Sequence, residues 1–271
     1  MLRRYIETQA SAAPQVNIDR PNSARMWNYW LGGKDHYRVD QWAGDQVAKL
    51  VPIVDAALQS RFFLARAIRY LAGDAGIRQF VDIGTGLPTV DNTHELAQQA
   101  APEARTVYVD NDPLVLAHAR ALLTSEPEDT CAHVDADARD TSRILTGAAQ
   151  TLDLNRPVGL LMLGLLDHIT DDREARETVR GLVAALAPGS HLVIAHPTAE
   201  LHGDALRKAI DLVGEMGGPP ATARTPQQIA EFFQDLDLLE PGVVTCSRWR
   251  PIPSPDRAAA VLQYCGVGRK P

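Results

Sequence analysis

The chain has little cysteine and no excess of positive charge. Its three cysteines, Cys131, Cys246 and Cys265, are scattered over 271 residues. This pattern fits buried free thiols in a reducing compartment better than a disulfide framework or a zinc site. The eight histidines show no ligand spacing with acids or cysteines, so the sequence predicts no metal site. The net charge of −7 argues against a nucleic-acid-binding protein that relies on phosphate neutralisation.

Long apolar runs are also missing. No stretch approaches the roughly 18 consecutive apolar residues of a membrane span. Residues 1–17 contain arginines but no apolar run behind them, so this segment does not look like a secretory signal. These absences predict a cytoplasmic protein without a membrane or nucleic-acid partner. They leave the oligomeric state open, with a homo-oligomer as one option.

The most informative feature that is present is a strand followed by a glycine turn. Residues 79–86 read QFVDIGTG, a short apolar strand that leads into Gly84 and Gly86. Glycine tolerates backbone angles that other residues avoid, and it has no side chain to block a ligand. A second apolar strand ends at Asp110, whose carboxylate is placed to accept two ribose hydroxyls. This layout is typical of a nucleotide-type site.

The glycine pattern also narrows the ligand. A dinucleotide site has a third glycine that lets a helix N-terminus approach the pyrophosphate, and here that position is Thr89. The carboxylate of Asp82, just before the turn, would repel a diphosphate but suits an ammonium group. S-adenosylmethionine has an ammonium, a ribose and an adenine, and no phosphate. It is the cofactor that the sequence predicts, and a nicotinamide-dependent oxidoreductase is the weaker alternative.

Strand-like and helix-like patterns alternate from residue 79 onward, which predicts a mostly parallel sheet with helices on both faces. The predicted strands are residues 79–83, 105–110, 131–135, 158–163, 191–195, 238–244 and 260–267. Before them we expect a polar arm over residues 1–20 and helices at residues 21–31, 41–50 and 55–72. The sequence therefore predicts two parts, an N-terminal arm with a helical lid at 1–76 and a Rossmann-like domain at 77–271.

Several longer motifs resemble one actinobacterial family. They are residues 21–35 (PNSARMWNYWLGGKD), 82–89 (DIGTGLPT), 92–95 (NTHE), 107–113 (VYVDNDP) and 264–270 (YCGVGRK). That family was first catalogued as a domain of unknown function and later described as S-adenosylmethionine-dependent methyltransferase-like. The resemblance implies a class I methyltransferase fold, with seven strands of which the last is antiparallel. It does not imply a particular methyl acceptor.

Candidate cofactor-binding residues follow the first three strands. We expect the backbone of Gly84, Thr85 and Gly86 to approach the methionyl part of the cofactor, with Asp82 organising the turn or meeting the ammonium. Asp110 would hold the ribose. The candidates beside the adenine are Asn111, Ala136 and Asp137, although Asp137 also fits a helix cap or an exposed loop acid.

Candidate catalytic residues are fewer, because methyl transfer from a sulfonium mainly requires alignment of the reacting groups. Gly164, after strand four, is a further candidate for cofactor binding, and in this fold class the acceptor lies beside the end of that strand. His168 follows that strand, His196 follows strand five, and either is a candidate general base. A capping or packing role is the alternative for both.

The N-terminal helices contain an unusual turn, residues 32–35 (GGKD). One interpretation is a lid in which Gly33 and Lys34 fold over the cofactor, since closing lids exclude water. The other is ordinary packing on the sheet. Residues 248–250 (RWR) either line the same pocket or form a solvated loop. The sequence thus predicts a methyltransferase for a small-molecule acceptor, with a non-catalytic cofactor-binding regulatory module as the alternative.

Overall fold

The computed structural model describes residues 16–122, 130–251 and 258–271. Most of the predicted polar arm therefore lies outside the described residues, as does the proline-rich stretch at 252–257. Pro113 predicts a helix over residues 114–124, and the last two of these also lie outside the described residues. Within the described part of the chain, no helix is long and apolar enough to cross a membrane.

Three helices precede the sheet: α1 (Ser23–Trp30), α2 (Arg38–Leu50) and α3 (Ile53–Arg69). The side chain of Asn22 caps α1 by accepting a hydrogen bond from the backbone N–H of Arg25. Arg25 then forms a buried ion pair with Asp40 on α2, with 2.6 Å between its Nε and the carboxylate. This pair fixes the first two helices to each other.

Strands and helices then alternate as the sequence predicts. The strands are β1 (Gln79–Ile83), β2 (Arg105–Asp110), β3 (Cys131–Asp135), β4 (Gly159–Leu163), β5 (His191–Pro197), β6 (Asp237–Leu238), β7 (Val244–Thr245) and β8 (Gln263–Arg269). The helices among them are α4 (Thr93–Ala100), α5 (Pro113–Leu122), α6 (Thr141–Ala148), α7 (Asp172–Ala184), α8 (Gly203–Glu215) and α9 (Pro226–Ala230).

The sheet order is β3-β2-β1-β4-β5-β8-β6, and β7 also pairs with β8. The first five of these strands are parallel to one another, whereas β8 runs antiparallel to β5, β6 and β7. The last strand is thus antiparallel, as the resemblance implies.

One predicted strand is wrong in its extent. The expected strand at residues 238–244 is two separate pieces, β6 and β7, so the sheet has eight strands and not seven. Between them the N–H of Gly242 donates to the carbonyl of Leu239 at 2.8 Å, which makes a turn. Pro241 in this turn has no N–H to donate to a neighbouring strand, so regular pairing stops there.

Side chains alternate between the two faces of the sheet and form a core on each. On β1, Phe80 belongs to one core and Val81 to the other. The first core packs under α1, α2, α3 and α8, and the second packs under α6, α7 and α9. Since β1, β2 and β4 are parallel neighbours, their carboxyl ends meet at one edge of the sheet, where open α/β sheets bind ligands.

Candidate functional site

A cavity of about 460 Å³ opens at the carboxyl ends of β1, β2 and β4. Its volume falls in the range of small-molecule sites, roughly 300–1,000 Å³. Ten of the predicted site residues line it: Asp82, Gly84, Thr85, Gly86, Asp110, Asn111, Ala136, Asp137, Gly164 and His168. Helix α1 closes the other side with residues that include Trp27 and Asn28.

The glycine turn has the backbone conformation that requires glycine. Gly84 has φ of +72° and Gly86 has φ of +64°, a region that side chains disfavour. A Cβ at position 84 would lie 2.7 Å from the Cδ1 atom of Leu165, whereas a Cβ at position 86 would have only Ala24 nearby, at 3.9 Å. The turn therefore leaves open space on the cavity side of Gly86.

Asp110 lies against this turn. One carboxylate oxygen accepts the N–H of Gly86 at 3.1 Å, and the other accepts the N–H of Asp112 at 2.9 Å. Burial raises the pKa of Asp110. The oxygen that accepts from Gly86 also accepts from the hydroxyl of Thr85 at 3.5 Å, so the free lone pair of the carboxylate is on the other oxygen, where it can accept a donor such as a sugar hydroxyl.

Asp82 is the second carboxylate at the turn. It accepts a hydrogen bond of 2.6 Å from the hydroxyl of Thr93, and burial raises its pKa to about 6. The positive charge of Arg61 opposes that rise. Asp82 therefore has acceptor capacity to spare in a place where a negative charge costs free energy, and a cationic ligand group would relieve that cost.

Arg61 is a site residue that the sequence reasoning missed. It extends from α3 into the cavity lining and donates to the carbonyls of Val90 (3.1 Å) and Asp91 (2.7 Å). The available signal was its position on the apolar stripe of α3, four residues after Ala57 and three before Leu64. A cation on a core-facing stripe points to a ligand or a structural partner.

The adenine end of the predicted site forms a polar cluster. Asp137 accepts hydrogen bonds from both Asn111 (3.2 Å) and Arg139 (2.9 Å). The alternative role of Asp137 as a helix cap belongs to Asp140, whose side chain accepts from the N–H of Arg143 at the start of α6. Asp137 instead stays at the rim of the cavity, partly exposed.

His168 lies at the cavity in a short 3-10 helix, Leu166–His168. Its Nδ1 is 2.8 Å from the carbonyl of Pro220, so Nδ1 carries the proton in the neutral ring. Its Nε2 then accepts from the hydroxyl of Ser23 on α1 at 2.9 Å. Both nitrogens are bonded, and the ring ties α1 to the segment that follows α8.

His196 was expected near the reaction, and the structure places it elsewhere. It is fully buried and does not line the cavity. Its Nδ1 donates to the carbonyl of Pro197, and its Nε2 accepts from Arg224, both at 2.8 Å. Burial lowers its pKa, so the ring is held neutral. Both nitrogens are bonded within the protein, which favours the packing role that was the alternative for His196, and its general-base role stays a prediction that this geometry does not support.

Gly33 and Lys34 are also absent from the cavity lining. The N–H of Gly33 donates to the carbonyl of Asn28 at 2.8 Å, and the N–H of Asp35 donates to the Asn28 side chain at 2.9 Å. These bonds fold the turn onto the end of α1 and not over the cavity. On this side the cavity wall is formed by α1. A lid role for the N-terminal helices stays a prediction, and α1 is the part of them in contact with the cavity.

The loop at residues 248–250 has a packing role. Trp249 is fully buried, with its ring 5.3 Å from Phe63 and 6.3 Å from Tyr70 between centroids. The Arg250 guanidinium stacks on Tyr70 at 4.1 Å. Residues 248–250 do not line the cavity. Trp249 is therefore neither a pocket residue nor part of a solvated loop, because its side chain packs in the core.

Fold and cavity together define an α/β protein with a cavity at the carboxyl edge of its sheet, where open α/β sheets bind ligands. A model of the S-adenosyl methyltransferase family matches residues 9–271, so the chain belongs to this family. The family resemblance of the sequence motifs is confirmed. No curated protein matches the chain significantly.

Two solved structures resemble this chain over almost its full length. A DUF574-family protein from Streptomyces avermitilis is 39% identical, with a TM-score of 0.90 over 95% of this chain and 100% of that one. A Thermobifida fusca protein described provisionally as a methyltransferase is 38% identical, with a TM-score of 0.87 over 97% and 99%. An O-methyltransferase family protein from Burkholderia thailandensis shares the fold at 15% identity, with a TM-score of 0.52 over 80% and 57%.

Proposed function

We propose that the protein transfers the methyl group of S-adenosylmethionine to a small molecule, and that the 460 Å³ cavity holds the cofactor. The observation that carries this proposal is the pair of carboxylates, Asp82 and Asp110, on either side of the glycine turn in one cavity. Membership of the S-adenosyl methyltransferase family supports the same ligand.

The polar groups of the cavity suit the parts of this cofactor. Asp82 provides the negative charge for an ammonium, and Arg61 provides a positive charge for a carboxylate. Asp110 has a free acceptor for a ribose hydroxyl. Asp137 already accepts from Asn111 and Arg139 with both oxygens, and it would mark the adenine end of the site from the cavity rim. The open side of Gly86 lets a ligand approach the backbone.

When bound, the cofactor supplies a methyl group on a positively charged sulfur, which needs no acid to leave as a thioether. The chain's contribution is to bind, to orient and to exclude water. Trp27 of α1 and Leu31, just after this helix, line the cavity. We assign His168 a positioning role, because its bonds to Ser23 and Pro220 hold α1 in place.

Calorimetry with S-adenosylmethionine and with S-adenosylhomocysteine tests the proposal directly. We expect both to bind in the micromolar range. The absence of binding at millimolar concentration would refute the proposal. Transfer of a labelled methyl group into a metabolite extract then separates an enzyme from a non-catalytic binding module, which would bind the cofactor without turnover.

A matched pair of glycine variants locates the binding. Gly86→Leu places a side chain in the open cavity space, so we expect it to abolish binding. Gly76→Leu is the control, since Gly76 has a similar φ of +70°, open space around its Cβ and a position outside this cavity. Both variants carry the same backbone strain, of about 1–2 kcal/mol. Equal affinity of the two variants would contradict the assigned location.

A further inference from the structure

A second, smaller cavity of about 110 Å³ lies beside the first. The two share four lining residues, Ser23, Trp27, His168 and Pro219, so they adjoin where α1 faces the end of β4. Apolar side chains make up most of the smaller lining, among them Met26, Trp30, Val47, Ile53, Leu206 and Val213. This volume accommodates a ring-sized apolar group but not a cofactor.

Four polar side chains interrupt the apolar lining. Ser23 and His168 are bonded to each other, whereas the other two each have a buried oxygen without a hydrogen-bond partner. They are Oδ1 of Asp167 and Oε1 of Gln263. The residues are only 8% and 3% exposed. A buried acceptor left unpaired costs about 1–3 kcal/mol, so such groups in a cavity wall indicate a ligand that donates to them.

The charge of Asp167 is also uncompensated. Among the described residues, its only ion-pair contact is with His168, at 3.8 Å, and that ring is charged only when protonated. The nearby Arg224 is already paired with Asp172 at 2.8 Å and bonded to His196. A negative charge beside the indole rings of Trp27 and Trp30 favours a cationic guest, because both features attract positive charge.

We propose that the smaller cavity binds the methyl acceptor, and that this acceptor is a primary amine on an apolar, ring-sized body. The inference rests on the proposed function. A hydroxyl has a single O–H and can satisfy only one of the two acceptor oxygens. An ammonium has three N–H donors and can satisfy both Asp167 and Gln263 while it neutralises the carboxylate.

An ammonium has no free electron pair, so it must lose a proton before it can accept a methyl group. Asp167 is placed to take that proton on Oδ1. The neutral amine then forms the N–CH₃ bond with its electron pair, while the S–CH₃ bond breaks and leaves its pair on sulfur. The positive charge passes from sulfur to nitrogen, and the proton on Asp167 returns to water when the product leaves.

Two matched probes test the inference in the full chain saturated with S-adenosylhomocysteine. The probes are 2-phenylethylamine and 2-phenylethanol, which share a ring and differ in the donor group. Trp27 and Trp30 line the cavity, so the quenching of tryptophan fluorescence reports binding. We expect the amine to bind at least about tenfold more tightly than the alcohol. Equal binding, or no binding of the amine up to roughly 10 mM, would overturn the inference.

Variants of the two acceptor residues provide the second readout. We expect Asp167→Asn to weaken the amine about tenfold and to leave the alcohol within about twofold. Gln263→Leu should weaken the amine by a smaller factor. Ala221→Phe, which fills the cavity, should exclude both probes. An unchanged amine affinity in Asp167→Asn would overturn the assignment of that residue.

Cofactor binding distinguishes a failure of the proposed function from a failure of the inference about the acceptor. Each variant should still bind S-adenosylhomocysteine, which also shows that it is folded. If the unmodified protein binds neither form of the cofactor, the proposed function fails. If it binds the cofactor but does not discriminate between amine and alcohol, only the inference about the acceptor fails.

Discussion

Two carboxylates of this protein, Asp40 between the N-terminal helices and Asp82 at the glycine turn, use their oxygens very differently. Asp40 is fully buried and accepts from the Nε of Arg25 (2.6 Å) and the N–H groups of Asn22 and Tyr37 (both 2.9 Å). Asp82 accepts only the hydroxyl of Thr93 among the described hydrogen bonds.

This difference separates a structural acid from a binding one. A carboxylate whose oxygens are all bonded, beside a dedicated cation, has nothing left for a ligand and serves only the fold. A carboxylate with spare acceptors and a raised pKa is destabilised until a ligand arrives. Substitutions at a fully bonded carboxylate should mainly change the free energy of unfolding. Substitutions at a carboxylate with spare acceptors should mainly change the affinity for the ligand.

The largest effect should come from the structural pair. Arg25→Met leaves Asp40 charged, buried and without its cation, so we expect the free energy of unfolding to fall by about 3–5 kcal/mol. Urea denaturation at neutral pH measures it. A loss below about 1 kcal/mol would show that the N–H groups of Asn22 and Tyr37 stabilise the buried carboxylate of Asp40 without the cation.

Asp110 should show the opposite behaviour. Asp110→Asn removes charged hydrogen bonds to the ribose, each of about 1.5–3 kcal/mol, so affinity for S-adenosylhomocysteine should fall about 10- to 100-fold. The loss of stability should be smaller than in Arg25→Met, at about 1–3 kcal/mol, because the amide nitrogen of Asn cannot accept one of the two N–H groups that Asp110 binds. Asp135→Asn is the control, because Asp135 ends the neighbouring strand β3 and is 57% exposed. Wild-type affinity in Asp110→Asn would contradict the ribose role.

The pH dependence of binding should report Asp82. Its carboxylate form binds the ammonium, and its pKa is about 6, so affinity for S-adenosylhomocysteine should fall about tenfold per unit as the pH drops below that value. Calorimetry between pH 5 and 7 measures this. Asp82→Asn should abolish the slope, and a flat profile in the wild-type protein would exclude Asp82 as the ammonium partner.

Asp82 should also make the stability of the ligand-free protein depend on pH, but in the opposite direction from the affinity. The folded protein keeps the proton of Asp82 up to a pH of about 6, whereas the unfolded chain releases it near 3.8. The folded state therefore binds more protons in this window, and the contribution of Asp82 to stability decreases as the pH rises through it. Parallel urea denaturation of the ligand-free protein and of Asp82→Asn shows this difference.

The smallest effect should come from an exposed pair. Arg176 contacts Glu231 at 2.8 Å, with exposed fractions of 39% and 49%. Arg176→Met should change the free energy of unfolding by less than about 1 kcal/mol, because water and salt screen the pair. It is the matched control for Arg25→Met. Similar losses in the two variants would show that burial does not set the strength of these pairs.

Much of the fold could be predicted from the sequence because the signals are local. Three strands, β1, β2 and β3, have the predicted bounds, since each is a short run that is apolar or β-branched and ends at a polar turn. The strand at 238–244 failed because Pro241 and Gly242 interrupt it, and a pattern of apolar residues does not register that break.

Only the part of the candidate site that lies at the ends of the strands could be predicted from the sequence. Asp82 and Asp110 lie at the carboxyl ends of the adjacent strands β1 and β2, so their proximity follows from parallel pairing. Arg61 and Gln263 belong to segments far from the glycine turn in sequence, and only packing brings them to the cavities. His168 and His196 looked equivalent in sequence, yet only His168 reaches the cavity.

The sequence by itself determined the strands, the glycine turn, the acids beside it and the family, because these depend on neighbouring residues and their backbone preferences. Only the tertiary structure decided which polar groups are satisfied and which are left open. That distinction separates Asp40 from Asp82, and it singles out Asp167 and Gln263. Packing also decided that His168 lies at the cavity and His196 does not. The physical reason is that a hydrogen-bond partner or an unfilled space is supplied by segments distant in the chain, and local patterns carry no record of them.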